Sequence, residues 1–225
     1  MRTYLKLGLM ALVVSAALAA LVGSASARIL STSNENIRVA WSSLEFVAEG
    51  TGQTIRCGVT LEGTFHSRTI VKTLGSLIGY ITRATVRRPC TNGTAWAYNG
   101  VEVDETRAER PVFTNTLPWH LQYGGFTGTL PNITGLRLNL VGARFRVRAP
   151  FFGSAINCDY TTSAATPGIG TASRNLVTGV VDNLIASGRI SSSTFGCPAG
   201  SFTSRSEDGV ITLLGTTTKI TVTLI

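Results

Sequence analysis

A chain of 225 residues, 44% of them apolar and with a formal net charge of +8, is long enough to bury a core of its own and has the length of one domain. Only two histidines are present, and no Gly-x-Ser-x-Gly elbow, His-Glu-x-x-His helix or phosphate loop occurs. Serine-hydrolase, zincin and P-loop chemistries in their usual sequence forms are therefore excluded.

Arg2 and Lys6 precede an uncharged apolar run from Leu7 to Leu21, and Ala25-Ser26-Ala27 supplies the small residues that a signal peptidase reads. This predicts a signal peptide over residues 1–27 and a mature domain over 28–225, with a net charge of +6. An uncleaved anchor is the alternative, because the run from Leu7 to Ala27 approaches the roughly 20 residues that span a bilayer. No later segment is apolar enough to cross as a helix. The expected location is secreted or in the extracytoplasmic cell envelope.

Short runs rich in Val, Ile, Leu, Thr and Phe, interrupted by Gly, Asn or Pro, predict a mostly β fold. We expect a single-domain β-sandwich or barrel of antiparallel strands. Strands are predicted at Ile37 to Trp41, Leu44 to Ala48, Thr54 to Leu61, Thr64 to Thr73, Leu77 to Arg87 and Thr94 to Tyr98. Others follow at Trp119 to Phe126, Leu136 to Val141, Arg144 to Arg148, Val210 to Leu214 and Lys219 to Leu224. The stretch Glu102 to Arg110, which holds Glu102, Asp104, Glu105 and Glu109, has no clear period and reads as a solvated loop.

Leu136, Leu138 and Leu140 alternate with Arg137 and Asn139, whereas after Gly142 the inward parity passes to Phe145 and Val147. A continuous strand would turn the wrong face to the core, so Val141-Gly142-Ala143 is expected to hold a bulge or sharp bend. Leu176, Val177, Val180, Val181, Leu184 and Ile185 fall at helical spacing. Gly179 and the β-branched residues instead favour a strand pair turning at Asp182-Asn183.

Cys57, Cys90, Cys158 and Cys197 are an even number in an exported chain, and three pairings are open. The sequential scheme, Cys57 with Cys90 and Cys158 with Cys197, is preferred. None of the spacings suits zinc, and no cofactor or metal is expected.

Arg144, Arg146 and Arg148 form the sharpest feature, about 6.6 Å apart along one face of a strand. Such a row suits phosphate, sulfate or carboxylate groups. Arg137, Arg83 and Arg87 are candidates to widen it, and an edge-protecting row of solvated charge is the plainer alternative. Trp119 and His120 together suggest a ligand-stacking pair, extendable by Trp41, Trp96, Tyr80, Tyr98 and Tyr123, although aromatics at strand positions more often build core. His66 beside Ser67 forms no nucleophile and base pair, because neighbouring strand residues face opposite ways. Asn92-Gly93-Thr94 and Asn132-Ile133-Thr134 match the glycan acceptor pattern.

These features predict a non-enzymatic domain acting by binding or as a structural protein, its partner an anionic or carbohydrate cell-surface polymer rather than nucleic acid. A polysaccharide or ester hydrolase and a barrel carrying an apolar ligand are the alternatives.

Overall fold

The computed structural model describes residues 29–98, 115–151, 153–204 and 209–225, and all their regular elements are strands. The leader and the Glu102 to Arg110 stretch lie outside the described residues. The first half comprises β1 (Ile29–Thr32), β2 (Asn36–Ala48), β3 (Thr54–Phe65), β4 (Thr69–Val71), β5 (Leu77–Thr91), β6 (Thr94–Ala97) and β7 (Trp119–Thr129). The second comprises β8 (Asn132–Val141), β9 (Arg144–Phe151), β10 (Ser154–Thr161), β11 (Gly168–Arg174), β12 (Val181–Ser192), β13 (Gly200–Ser204), β14 (Gly209–Leu213) and β15 (Val222–Leu224).

Eight strands hydrogen-bond in the order β11-β8-β7-β5-β3-β2-β13-β12, and β12 pairs back onto β11. Every pairing around this ring is antiparallel, so the sheet closes into a barrel. Closure removes the open edges that a flat sheet of this length would expose. β14 pairs the first half of β2, beside the half that β13 covers.

The inward residues follow from parity. Ile55, Cys57, Val59, Leu61 and Phe65 of β3 are buried at alternate positions, so β3 runs unbroken where the sequence suggested an interruption after Leu61. In β2 the buried parity shifts from Ile37, Val39 and Trp41 to Leu44 and Phe46, and the register slips between Trp41 and Leu44. One bulged strand therefore replaces the two expected there.

β9 belongs to a second layer in which β6, β9 and β10 run side by side, joined to the barrel where β10 meets β12 at Tyr160 and Thr161. Its inner face presents Phe145 and Val147 to the core. The Phe145 ring lies 5.9 Å from Phe46 and 5.2 Å from Trp119. The switch from barrel to second layer occurs at Gly142, where the chain bends with φ +81° between β8 and β9. The Ala143 N–H donates to the Thr162 hydroxyl at 3.0 Å and fixes the corner. Gly142→Ala meets no steric neighbour but must adopt a left-handed backbone, and its expected cost is about 1 kcal/mol in urea unfolding.

Leu176 to Ile185 is neither a helix nor a strand pair of its own: a turn at Asn175 to Gly179 joins β11 to β12, and Asp182-Asn183 sit inside β12. The Asn175 side-chain oxygen accepts from the Val177 and Thr178 N–H groups, and Gly179 takes φ +71°. An Asx turn with a positive-φ glycine therefore prevails over the Asp-Asn pair. A separate sheet, β15-β1-β4, buries Leu30, Ile70 and Val222 against the end of the barrel where β2 begins and β3 ends.

The barrel interior is filled by side chains, leaving an apolar cavity of about 70 Å³ beside Val39, Trp41, Leu138, Phe145 and Leu184. The sequential disulfides are both present. Cys57–Cys90 ties β3 to β5, and Cys158–Cys197 ties β10 to the loop after β12.

Candidate functional site

β9 places Arg144, Arg146 and Arg148 on the outer face of the second layer, because Phe145, Val147 and Ala149 occupy the inner one. Their neighbours across the ladder are chemically distinct. Arg148 stands opposite Asn157 and Thr94, Arg146 opposite Asp159 and Trp96, and Arg144 opposite Thr161.

Asp159 is the centre of a compact network. Arg146 grips it with two hydrogen bonds, Nε to Oδ1 at 2.6 Å and Nη2 to Oδ2 at 2.8 Å, the planar fork matching the carboxylate. Arg146 Nη2 also donates to the Tyr98 hydroxyl at 3.0 Å. Arg144 stacks over the Tyr98 ring at 4.4 Å and holds a nitrogen 3.8 Å from Asp159. Burial works to raise the Asp159 carboxyl, but the hydrogen bonds from Arg146 and Tyr98 and the two guanidinium charges together hold it below the usual carboxylate range. Burial, and then the bond to Asp159, push the Tyr98 hydroxyl upward. One carboxylate thus serves two arginines, and the network is a rigid, positively biased support.

Arg148 borders a different environment. Together with Gln53, Asn92 and Thr94 it lines an open hollow of about 500 Å³ whose floor is formed by Ala149, Pro150 and Ala155. Asn92 takes a positive φ of 61° in the turn between β5 and β6, and its side-chain nitrogen donates to the Thr54 carbonyl at 3.2 Å. The first glycan acceptor pattern therefore coincides with the rim of this hollow. The other, at Asn132, lies in the β7 to β8 hairpin.

Trp119 does not join this surface. It is 1% exposed, with its ring nitrogen donating to the Thr116 hydroxyl at 3.0 Å, and is a core residue. His120 points the other way from β7 and lies 5.5 Å from the Tyr80 ring, whose other neighbour is His66 at 4.8 Å. The two histidines of the chain thus converge on one tyrosine of the outer barrel wall, through strand pairings that local sequence does not announce. Trp41 and Tyr123 are core, the commoner outcome for aromatics at strand positions, whereas Tyr98, though buried, belongs to the Asp159 network beneath Arg144. Arg83 turns toward Glu62 at 3.4 Å, a carboxylate shared with Arg38, and Arg137 stands on β8. Neither extends the β9 row.

Sequence reasoning did not find Asp159 or the hollow beside Arg148, and it named Tyr98 only as an extension of the Trp119 pair. Asp159 lies in Asn157-Cys158-Asp159, where only its parity relative to Cys158 hints at an outward position facing the arginines. No family model, curated protein or solved structure matches this chain.

Proposed function

We propose that this chain is an extracytoplasmic, non-enzymatic binding domain whose second layer engages anionic or carbohydrate polymers of the cell envelope. One observation carries the reading: three arginines share one rigid face, and the last of them opens onto a hollow rimmed by an amide, an asparagine and a threonine. Guanidinium groups bind carboxylate or phosphate oxygens, and the amide and hydroxyl groups suit sugar hydroxyls. The two disulfides are compatible with an oxidising, extracytoplasmic location.

The barrel interior gives the carrier alternative less support. At about 70 Å³ the cavity is far below the roughly 300 to 1,000 Å³ of ordinary ligand pockets. A hydrolase would need a histidine oriented as a base, and the surroundings of His66 and His120 are instead the faces and edge of Tyr80.

Co-sedimentation with insoluble cell-wall polymer across a salt series tests the proposal. Arg144→Ala with Arg148→Ala should lower affinity about tenfold at physiological salt, and wild-type binding should weaken as salt rises. Arg146 stays unchanged because it supports the layer. Equal binding by the double variant, or no sedimentation with anionic or neutral polysaccharide at low salt, would sink the reading.

A further inference from the structure

The apolar side chains that stand in solvent are distributed unevenly. Among the described residues, most of the exposed large apolar groups lie at one end of the barrel, with Ile185, Val210 and the loop residue Phe195 as the exceptions. At that end Val177 tips the β11 to β12 turn at 94% exposure, and Leu74, between β4 and β5, is 73% exposed. Leu130 tips the β7 to β8 hairpin. Ile225, Ile29 and Val71 form an exposed row across the small sheet, since Ile29 pairs with Val71 and its carbonyl accepts from the Ile225 N–H at 3.0 Å.

These tips belong to one surface. Arg174, at the end of β11, donates to the carbonyls of Ile133 and Val222, joining that turn to the β7 to β8 hairpin and to β15. β15 carries β1 and β4 beside it. Lys72 lies over the Phe126 ring at 5.7 Å, and Leu74 reaches to 3.7 Å from where a side chain on Gly125 would begin. The segment from β4 to β5 is thereby joined to β7.

We propose that this end of the barrel rests on a lipid bilayer. Separate protruding tips find their complement in a deformable apolar medium, whereas a rigid protein partner or a second copy would be met by a flatter, continuous patch. Lys72 and the exposed Arg68 stand at the rim, where a headgroup layer places phosphates. The chain also enters the domain at this end, through Arg28 into β1. The arginine face and its polymer belong to the other layer, and this inference does not depend on them.

Flotation of the purified protein with vesicles of phosphatidylcholine and phosphatidylglycerol tests it. Wild type and variants are compared in the same N-terminal state, read by mass spectrometry. Wild type should float with the vesicles. Val71→Thr, Leu74→Ser and Val177→Ser together should weaken binding by about tenfold or more. Phe195→Ser, which removes a fully exposed ring outside this end, should leave it unchanged. Should the triple variant melt early, Val177→Ser alone, at a position that contributes nothing to the core, should still weaken binding about threefold. Wild-type protein that stays at the bottom of the gradient, variants that float as well as wild type, or equal loss with Phe195→Ser would each overturn the proposal. A dimer that the triple variant splits, without vesicle binding, would overturn it in favour of a second copy.

Discussion

Replacing Cys158 and Cys197 together by alanine is expected to remove about 4 kcal/mol of unfolding free energy, measured by urea titration against the oxidised wild type. The bridge closes a loop with a sequence separation of 39, and the chain entropy it withholds from the unfolded state sets this magnitude. A typical domain has only about 5 to 15 kcal/mol in total. The local structure makes the loss sharper here. β10 pairs with β12 only at Tyr160 and Thr161, and at Asp159 its outer edge is bonded instead by the loop that Cys197 anchors. Ser193 N–H bonds the Asp159 carbonyl at 3.1 Å, Thr194 accepts from the Asp159 N–H at 3.1 Å, and Tyr160 donates to Pro198 at 3.1 Å. Those bonds hold only while the loop is held. Phe195, at the tip, should therefore become a chymotrypsin cleavage point in the variant and resist cleavage in wild type. Removing Cys57–Cys90, with a separation of 33, should cost a similar amount without that local opening, because β3 and β5 remain paired on both sides of it. Equal proteolysis of both variants would contradict the role assigned to the loop.

What the sequence made legible was parity, and what it hid was partnership. Alternation placed Leu136, Leu138 and Leu140 inward, found the reversal at Gly142, and put Arg144, Arg146 and Arg148 on one outer face, because side-chain direction in a strand is fixed locally. Strands without apolar alternation escaped. β11, Gly168–Arg174, is built from small residues because its neighbours come close: a side chain on Gly170 would begin 3.2 Å from Leu184. β13 lacks the pattern too, whereas β10 carries it in Ile156, Cys158 and Tyr160 and still escaped. Barrel closure depends on β11 meeting both β8 and β12, a long-range fact with no local signature. The same holds for the site. That Arg146 has Asp159 as its partner depends on the β9 to β10 register, and that His66 and His120 share Tyr80 depends on the order β3-β5-β7. For Trp119 the sequence leaves a displayed ring and a buried one both open, with burial the commoner outcome, and its inward parity on β7 decides for the core.

Asp159→Asn is the second substitution with a large expected effect, and its two consequences should have opposite signs. Arg146 and Asp159 are largely buried, with 24% and 13% of their side chains exposed, so losing the carboxylate charge leaves a guanidinium without its counter-ion in a poorly hydrated position. The expected cost is about 2 kcal/mol, below the 3 to 5 kcal/mol of a fully buried pair because Arg146 keeps some contact with water. The same pairing sets a pH dependence. The Asp159 carboxyl is held below its ordinary value in the folded state, so its contribution is complete above the ordinary carboxylate range near pH 4 and is lost as pH falls through the lower folded value. Urea midpoints measured from pH 6 down to pH 2 should therefore decline in wild type more steeply than in Asp159→Asn. Binding should move the other way. Asp159 is the carboxylate nearest to both Arg144 and Arg146, and neutralising it raises the positive potential of the face, so an anionic polymer should bind the variant more tightly even though the domain is less stable. A variant that loses stability and affinity together would mean that the network shapes the binding surface itself. Lost stability with unchanged affinity would separate the arginine face from binding altogether.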